Sequence, residues 1–197
     1  MSVAEETLAE VRRYGHPYWL AFVLYGYGRV FAEADPTKAL AALREGLDCS
    51  REHGLRYREA RLTQEAARLE ATHGDLQEAF AMFDATIDAQ HRAGERTTLA
   101  ITLGNLAVLF ERLNQPQTAA TLFGATSSQR STVLVLALDA VVDRLNAALG
   151  ETEFKRCVSV GALMDPADVV RYARRSINVA STQPGSSGAT GSGSGHC

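Results

Sequence analysis

Three segments of the chain open a helix in the same way at one fixed interval. Asp35-Pro36-Thr37-Lys38-Ala39-Leu40, Asp75-Leu76-Gln77-Glu78-Ala79-Phe80 and Gln115-Pro116-Gln117-Thr118-Ala119-Ala120 set Ala39, Ala79 and Ala119 at equal spacing. Four residues after each alanine stands a large apolar side chain, Leu43, Phe83 or Phe123; seven after it stands a small one, Gly46, Thr86 or Thr126. Ala67 and Ala107 precede Ala79 and Ala119 by twelve residues, and Gly28 precedes Ala39 by eleven, one residue short. Gly54 and Gly94 close the first two of these helices at the same offset. A small residue in one helix lets the next helix come close, and the large residue one turn on fills the space between neighbouring pairs. One such hairpin leaves an apolar face uncovered, so hairpins of this kind stack.

The rest of the chain agrees with stacked helices. Aromatic residues make up 7% of the 197 residues, Ala and Leu are abundant, and β-branched runs are few, which favours helix over strand. Periodicity and punctuation predict about ten helices: Val3 to Tyr14, Pro17 to about Ala34, Pro36 to Gly54, Leu55 to Thr72, Leu76 to Ala93, Glu95 to Leu113, Pro116 to about Ser127, Thr132 to Leu149, Glu151 to Val160, and a last one from Pro166 to about Ile177. Asp35-Pro36 and Asp165-Pro166 are cap-plus-proline starts. The expected fold class is all-α, a tetratricopeptide-like helical-hairpin array with a repeat of roughly 40 residues. The helical domain spans 1–178, and a Gly/Ser-rich tail, 179–197, lacks an apolar face and is expected to be disordered.

Twenty Lys+Arg against 23 Asp+Glu gives a net charge of −3, which argues against a dedicated nucleic-acid or membrane-surface module. Three cysteines, Cys49, Cys157 and Cys197, are too few and odd in number for a disulfide scaffold. With Glu5, Glu6 and Glu10 near the start and no apolar run of the roughly 18 residues a span needs, the expected location is the cytoplasm.

The order small residue, alanine twelve later, large apolar residue four later resembles a degenerate tetratricopeptide repeat with helices longer than the usual ~34-residue period. The last third sharpens the resemblance. Ala119-Ala120-Thr121-Leu122-Phe123-Gly124-Ala125, the segment Leu145 to Phe154 and the segment Met164 to Ala173 are similar to stretches of the helical C-terminal region of actinobacterial, especially mycobacterial, regulators. Tyr25-Gly26-Tyr27-Gly28-Arg29 and His73-Gly74-Asp75 also fit. These are LuxR-type and cyclase-linked ATPase transcriptional regulators. The chain departs from whole members of that family. It has no G-x-x-x-x-G-K-[ST] loop, its lysines are Lys38 and Lys155 alone, and the Gly/Ser tail stands where a helix-turn-helix would begin. ATP hydrolysis, cyclic-nucleotide synthesis and DNA reading therefore do not carry over; a sensing and interaction array does.

Several residue groups invite a chemical reading and have a plainer one. Gly26-x-Gly28 lacks the third glycine and the preceding strand of a dinucleotide loop, and small residues for close packing account for it. Glu45, Cys49 and His53 share a helix face but have no partner pair with metal spacing. Neither a metal nor a cofactor is expected, and His196-Cys197 has no fixed geometry. Cys157 lies beside Lys155 and Arg156, but no histidine occurs between His91 and His196 to activate it. Arg171, Arg174 and Arg175 suit the negative end of the last helix. The aromatic run Tyr18, Trp19, Phe22, Tyr25, Tyr27 and Phe31 reads mostly as core, with part left for a partner.

In tetratricopeptide arrays the first helix of each hairpin lines the groove. Transferred by position, the groove candidates are Tyr25, Arg29, Arg61, Gln64, Arg68, Thr102 and Asn105. Three arginines there suit an acidic or carboxylate-bearing ligand. The expected function is a non-enzymatic protein–protein or ligand-sensing interaction domain of a bacterial signalling regulator. Its partner is a protein, a peptide or an adjacent regulator domain, not nucleic acid or membrane. The alternatives are a detached sensor arm that acts only with ATPase and DNA-binding parts, and a small α-helical enzyme with a deep pocket. Exposed end hairpins also favour a homo-oligomer.

Overall fold

The computed structural model describes residues 3–126 and 132–182, the side chains of 132–140 excepted. Among the described residues there are ten α-helices and no strand. They are α1 Val3–Tyr14, α2 Pro17–Phe31, α3 Pro36–Glu52, α4 Arg56–His73, α5 Leu76–Arg92, α6 Arg96–Arg112, α7 Pro116–Ala125, α8 Thr132–Leu149, α9 Glu151–Ala162 and α10 Pro166–Thr182.

Local chemistry sets the helix ends. The Asp35 carboxylate accepts from the Lys38 amide at 3.0 Å, and Asp165 accepts from the Asp168 amide at 2.8 Å, as expected of cap-plus-proline starts. Asp75 caps α5 through the amides of Gln77 and Glu78. Gly54 and Gly94 take φ of +63° and +70°, which L side chains rarely adopt. The following amides fold back, Leu55 N–H to Ser50 C=O at 2.8 Å and Glu95 N–H to Gln90 C=O at 2.9 Å. Gly15 takes a similar φ of +65°, one residue short of a full repeat before Gly54, although its amide bonds to the Val11 carbonyl instead. Thus α1 stands where a hairpin's second helix would stand.

The hairpins α2/α3, α4/α5 and α6/α7 repeat one packing pattern. Ala39, Ala79 and Ala119 are each fully buried, four residues after the N-cap, and each amide bonds to the cap carbonyl at 2.9–3.1 Å. The small residues of the first helices, Gly28, Ala67 and Ala107, are buried too, and so are Leu43, Phe83 and Phe123. A Cβ on Gly28 would lie 2.5 Å from Leu43 Cγ, so the missing residue in that turn leaves no room for a side chain there. First helices also pack on each other in succession: α2 on α4, α4 on α6, α6 on α8. One apolar cluster runs from α4 to α10 and a second joins α2, α3 and α4; the half-buried Met82 touches both.

The last helices depart from the repeat. α7 stops at Ala125 and packs tightly on α9, where Gly124 lies against the Val158 backbone and Gly161 against the Thr121 backbone; any Cβ would collide. α10 turns back along α5 and α7. It runs to Thr182, beyond the expected end near Ile177, so residues 179–182 belong to the helical body and not to a tail. The reason is burial and capping: Ala180 is buried, Ser181 and Thr182 hydroxyls donate to Ile177 and Asn178 carbonyls, and Gln77 Nε2 donates to the Ser181 carbonyl. The remaining tail, 183–197, lies outside the described residues, as does the expected end of α7 near Ser127. No helix among the described residues is long and apolar enough to cross a membrane.

The repeat also explains two buried polar groups. Ser50 and Gln90 occupy equivalent positions, twelve residues before Leu62 and Thr102 of the next first helix. Thr102 Oγ1 donates to Gln90 Oε1 at 2.9 Å, whereas the Ser50 hydroxyl, fully buried, has no hydrogen-bond partner among the described residues. An unmade buried bond is costlier than none at all. Ser50→Ala is therefore expected to leave stability unchanged or raise it, while Thr102→Val lowers it by about 1–3 kcal/mol, both read by urea denaturation.

Candidate functional site

The surface shared by the first helices carries the chain's most distinctive polar arrangement. Three arginines of α4 and α6 reach across to residues of the preceding first helix. Arg58 Nη2 donates to Tyr18 Oη at 2.6 Å, and its guanidinium stacks over the Tyr18 and Phe22 rings, 4.7 and 4.6 Å from their centroids. Arg61 Nη2 donates to Tyr25 Oη at 2.9 Å and Nη1 to Gln64 Oε1 at 3.4 Å. Arg112 Nη1 donates to Thr72 Oγ1 at 2.8 Å across the α4–α6 seam. Such contacts hold a planar cation flat without neutralising it. Among the described residues no carboxylate lies within ion-pair distance of Arg58, Arg61 or Arg112.

Two carboxylates interrupt this surface. Glu65 takes both Arg68, at 3.0 Å, and Arg29, at 3.7 Å. Glu111 receives a two-pronged bond from Arg144 of α8, at 2.7 and 3.1 Å. Between α4 and α6 a cleft of about 170 Å³ is lined by Arg68, Ala71, Thr72, Asn105, Val108, Leu109 and Arg112. It is small and carries Arg68 and Arg112, and it suits a side chain or chain terminus rather than a whole small molecule.

Five of the seven predicted groove residues meet on this surface: Tyr25, Arg29, Arg61, Arg68 and Asn105. Gln64 is buried but still reached by Arg61. Thr102 does not belong to the groove. It is fully buried and bonded to Gln90, because it occupies the core position that Leu62 holds one repeat earlier. Of the aromatic run read mostly as core, Tyr27 is buried, but Tyr18, Trp19 and Phe22 are exposed, with Tyr18 and Phe22 lying under Arg58 on this surface. Sequence reasoning missed Arg58, Glu65, Thr72 and Arg112. A signal was there: Arg58 stands 40 residues after Tyr18, and Arg112 stands 40 after Thr72, close to the repeat length in both cases.

The other candidate groups fall into structural roles. Of the Gly26-x-Gly28 pair only Gly28 is closely packed, on Leu43; a Cβ on Gly26 would meet nothing within 4 Å, so close packing does not account for that glycine. Glu45 is bound by Arg12, Cys49 Sγ donates to the Pro17 carbonyl at 3.5 Å, and His53 Nδ1 lies 3.0 Å from the Cys49 carbonyl. Burial, and next the Glu52 and Glu45 charges, push the Cys49 thiol above its ordinary value. Cys157 is buried under α7, and burial followed by the Glu153 charge raises its thiol as well, against a reactive thiolate. Arg171, Arg174 and Arg175 lie mid-helix, because α10 continues to Thr182. Arg174 does not serve the helix end; it clamps Asp84 at 2.8 and 2.9 Å and Asp88 at 3.3 Å, pinning α10 to α5. His196 and Cys197 lie outside the described residues.

The bond from Arg144 is the main reason that Glu111 sits below the ordinary carboxylate range. A depressed carboxylate contributes stability that is complete above its unfolded value, about 4.3, and is lost as pH falls through the lower folded value. Glu111→Gln is expected to flatten the acid limb of the stability–pH curve below about pH 4.3 and leave the neutral limb parallel to wild type, as checked by thermal melts across pH. No protein-family model, no curated protein sequence and no solved structure matches this chain.

Proposed function

We propose that the chain is a non-enzymatic interaction domain whose first-helix surface binds an acidic segment of a protein partner or of an adjoining domain. The observation that carries this reading is the set of three arginines, Arg58, Arg61 and Arg112, held in place by tyrosine and threonine hydroxyls rather than by carboxylates. A guanidinium already oriented gives up little freedom when a carboxylate arrives, and the bond it forms is charge-assisted. The overall charge of −3 does not oppose this, since local charge rather than the total steers a partner.

The resemblance of the segments around Ala119–Ala125, Leu145–Phe154 and Met164–Ala173 to LuxR-type and cyclase-linked regulators supports a place in bacterial cytoplasmic signalling. There the array is a sensing arm. Occupation of a surface made by successive hairpins favours one relative packing of those hairpins over another, and that difference is what a joined domain reads.

Fluorescence anisotropy tests this with a panel of labelled peptides matched in length and differing in Glu and Asp content. Wild type is expected to bind the acidic members, more weakly as salt rises, and Arg61→Ala/Arg112→Ala to lose at least about tenfold in affinity. Equal binding of neutral and acidic peptides, or an unchanged affinity in the double variant, overturns the reading.

A further inference from the structure

The first-helix surface ends at α2 on a trough whose internal counterparts are filled. In the complete hairpins, the groove between a second helix and the following first helix holds the preceding first helix: α2 rests on both α3 and α4, and α4 on both α5 and α6. α1 holds the place of a second helix. Its turn at Gly15 and its buried Leu8 match Gly54 and the buried Leu47 of α3. The trough between α1 and α2 therefore has the same two walls, and no helix of the described residues lies in it. It measures about 600 Å³ and takes Ala4 and Thr7 from α1 and, from α2, Phe22, Gly26 and Val30 together with the charged Arg29.

Comparison along the repeat shows that this face is made to be covered. Val30 is 66% exposed, whereas its equivalents Leu69 and Leu109 are 1% and 3% exposed. Where α4 presents Arg58, Arg61 and Glu65 to α2, α2 presents Trp19, Phe22 and Gly26 at the equivalent positions. The seam on offer carries a single charge, Arg29, and a Cβ on Gly26 would meet nothing within 4 Å, so a facing backbone has room to come close. An exposed apolar stripe of this kind marks an interaction surface.

We propose that the occupant is α2 of a second copy of this chain, in a dimer whose two-fold axis runs parallel to α2. Neighbouring first helices are parallel, since Arg58 meets Tyr18 and Glu65 meets Arg29 in the same order along both. A two-fold axis along the helix direction keeps that arrangement. Each α2 then fills the other copy's trough, and α1 and α2 with their mates form a four-helix cluster in which Gly26 faces Gly26. The same operation brings the acidic N-terminal half of α1, with Glu6 exposed, toward the exposed Arg29 of the other copy, twice over. Charge and shape are thus both self-complementary, as an isologous interface requires. Helices of 12 and 15 residues are about 18 and 22 Å long.

Sedimentation equilibrium of the full chain in reducing buffer tests the proposal. A monomer–dimer equilibrium in the micromolar range is expected. Val30→Glu, at a site already exposed in the monomer, weakens it at least about tenfold with the helical signal and melting temperature retained. Gly26→Cys in a Cys197→Ser background gives a disulfide-linked dimer on mild oxidation, while Cys197→Ser alone does not. A chain that stays monomeric across that range overturns the proposal and leaves the trough to a helix of another protein. So does a dimer that Val30→Glu leaves intact and Gly26→Cys fails to cross-link.

Discussion

Close approach between helices is the constraint on which the rest of this structure depends. Ala39, Ala79 and Ala119 sit one turn inside their helices and are shut off from solvent, as are Gly28, Ala67 and Ala107 in the helices before them. With so little side chain at those points, the helices of each pair come near enough for Leu43, Phe83 and Phe123 to reach into the space between repeats. Interiors this tightly packed accept no extra methyl without strain. The seam of first helices, and with it the arginine–tyrosine contacts, follows from that spacing.

The repeat made most of the fold legible in the sequence. The even spacing of Ala39, Ala79 and Ala119 placed the hairpins, the prolines and aspartates placed the helix starts, and Gly54 and Gly94 placed two of the ends. What escaped was decided by contacts distant in sequence. Nothing local says that Ser181 and Thr182 continue a helix; the burial of Ala180 and the reach of Gln77 do. The purpose of Arg174 was hidden for the same reason, its partners Asp84 and Asp88 lying on another helix.

The groove was legible in part. Tyr25, Arg29, Arg61, Arg68 and Asn105 share one surface because helical spacing fixes which face each presents. Thr102 was misplaced because a polar residue in a repeat position says nothing of which way that position points, and here it points at Gln90. Arg58 and Arg112 escaped because their partners are an aromatic pair and a threonine rather than carboxylates. Counting charges does not find a cation that is oriented yet left unneutralised, although such a cation is the one best able to bind something else.

The path of α10 has a consequence for how load passes through the molecule. In an open array each unit touches only its neighbours, so strain at one end reaches the middle through every intervening joint. Here Arg174 and the Ser181 carbonyl fasten the final helix to Asp84 and Gln77, far earlier in the chain. These contacts give a pull on whatever follows Thr182 a direct route to α5, the second helix of the central pair, beside the routes through α7 and α9. The middle of the array, and not its end alone, is tied to the last of the described helices.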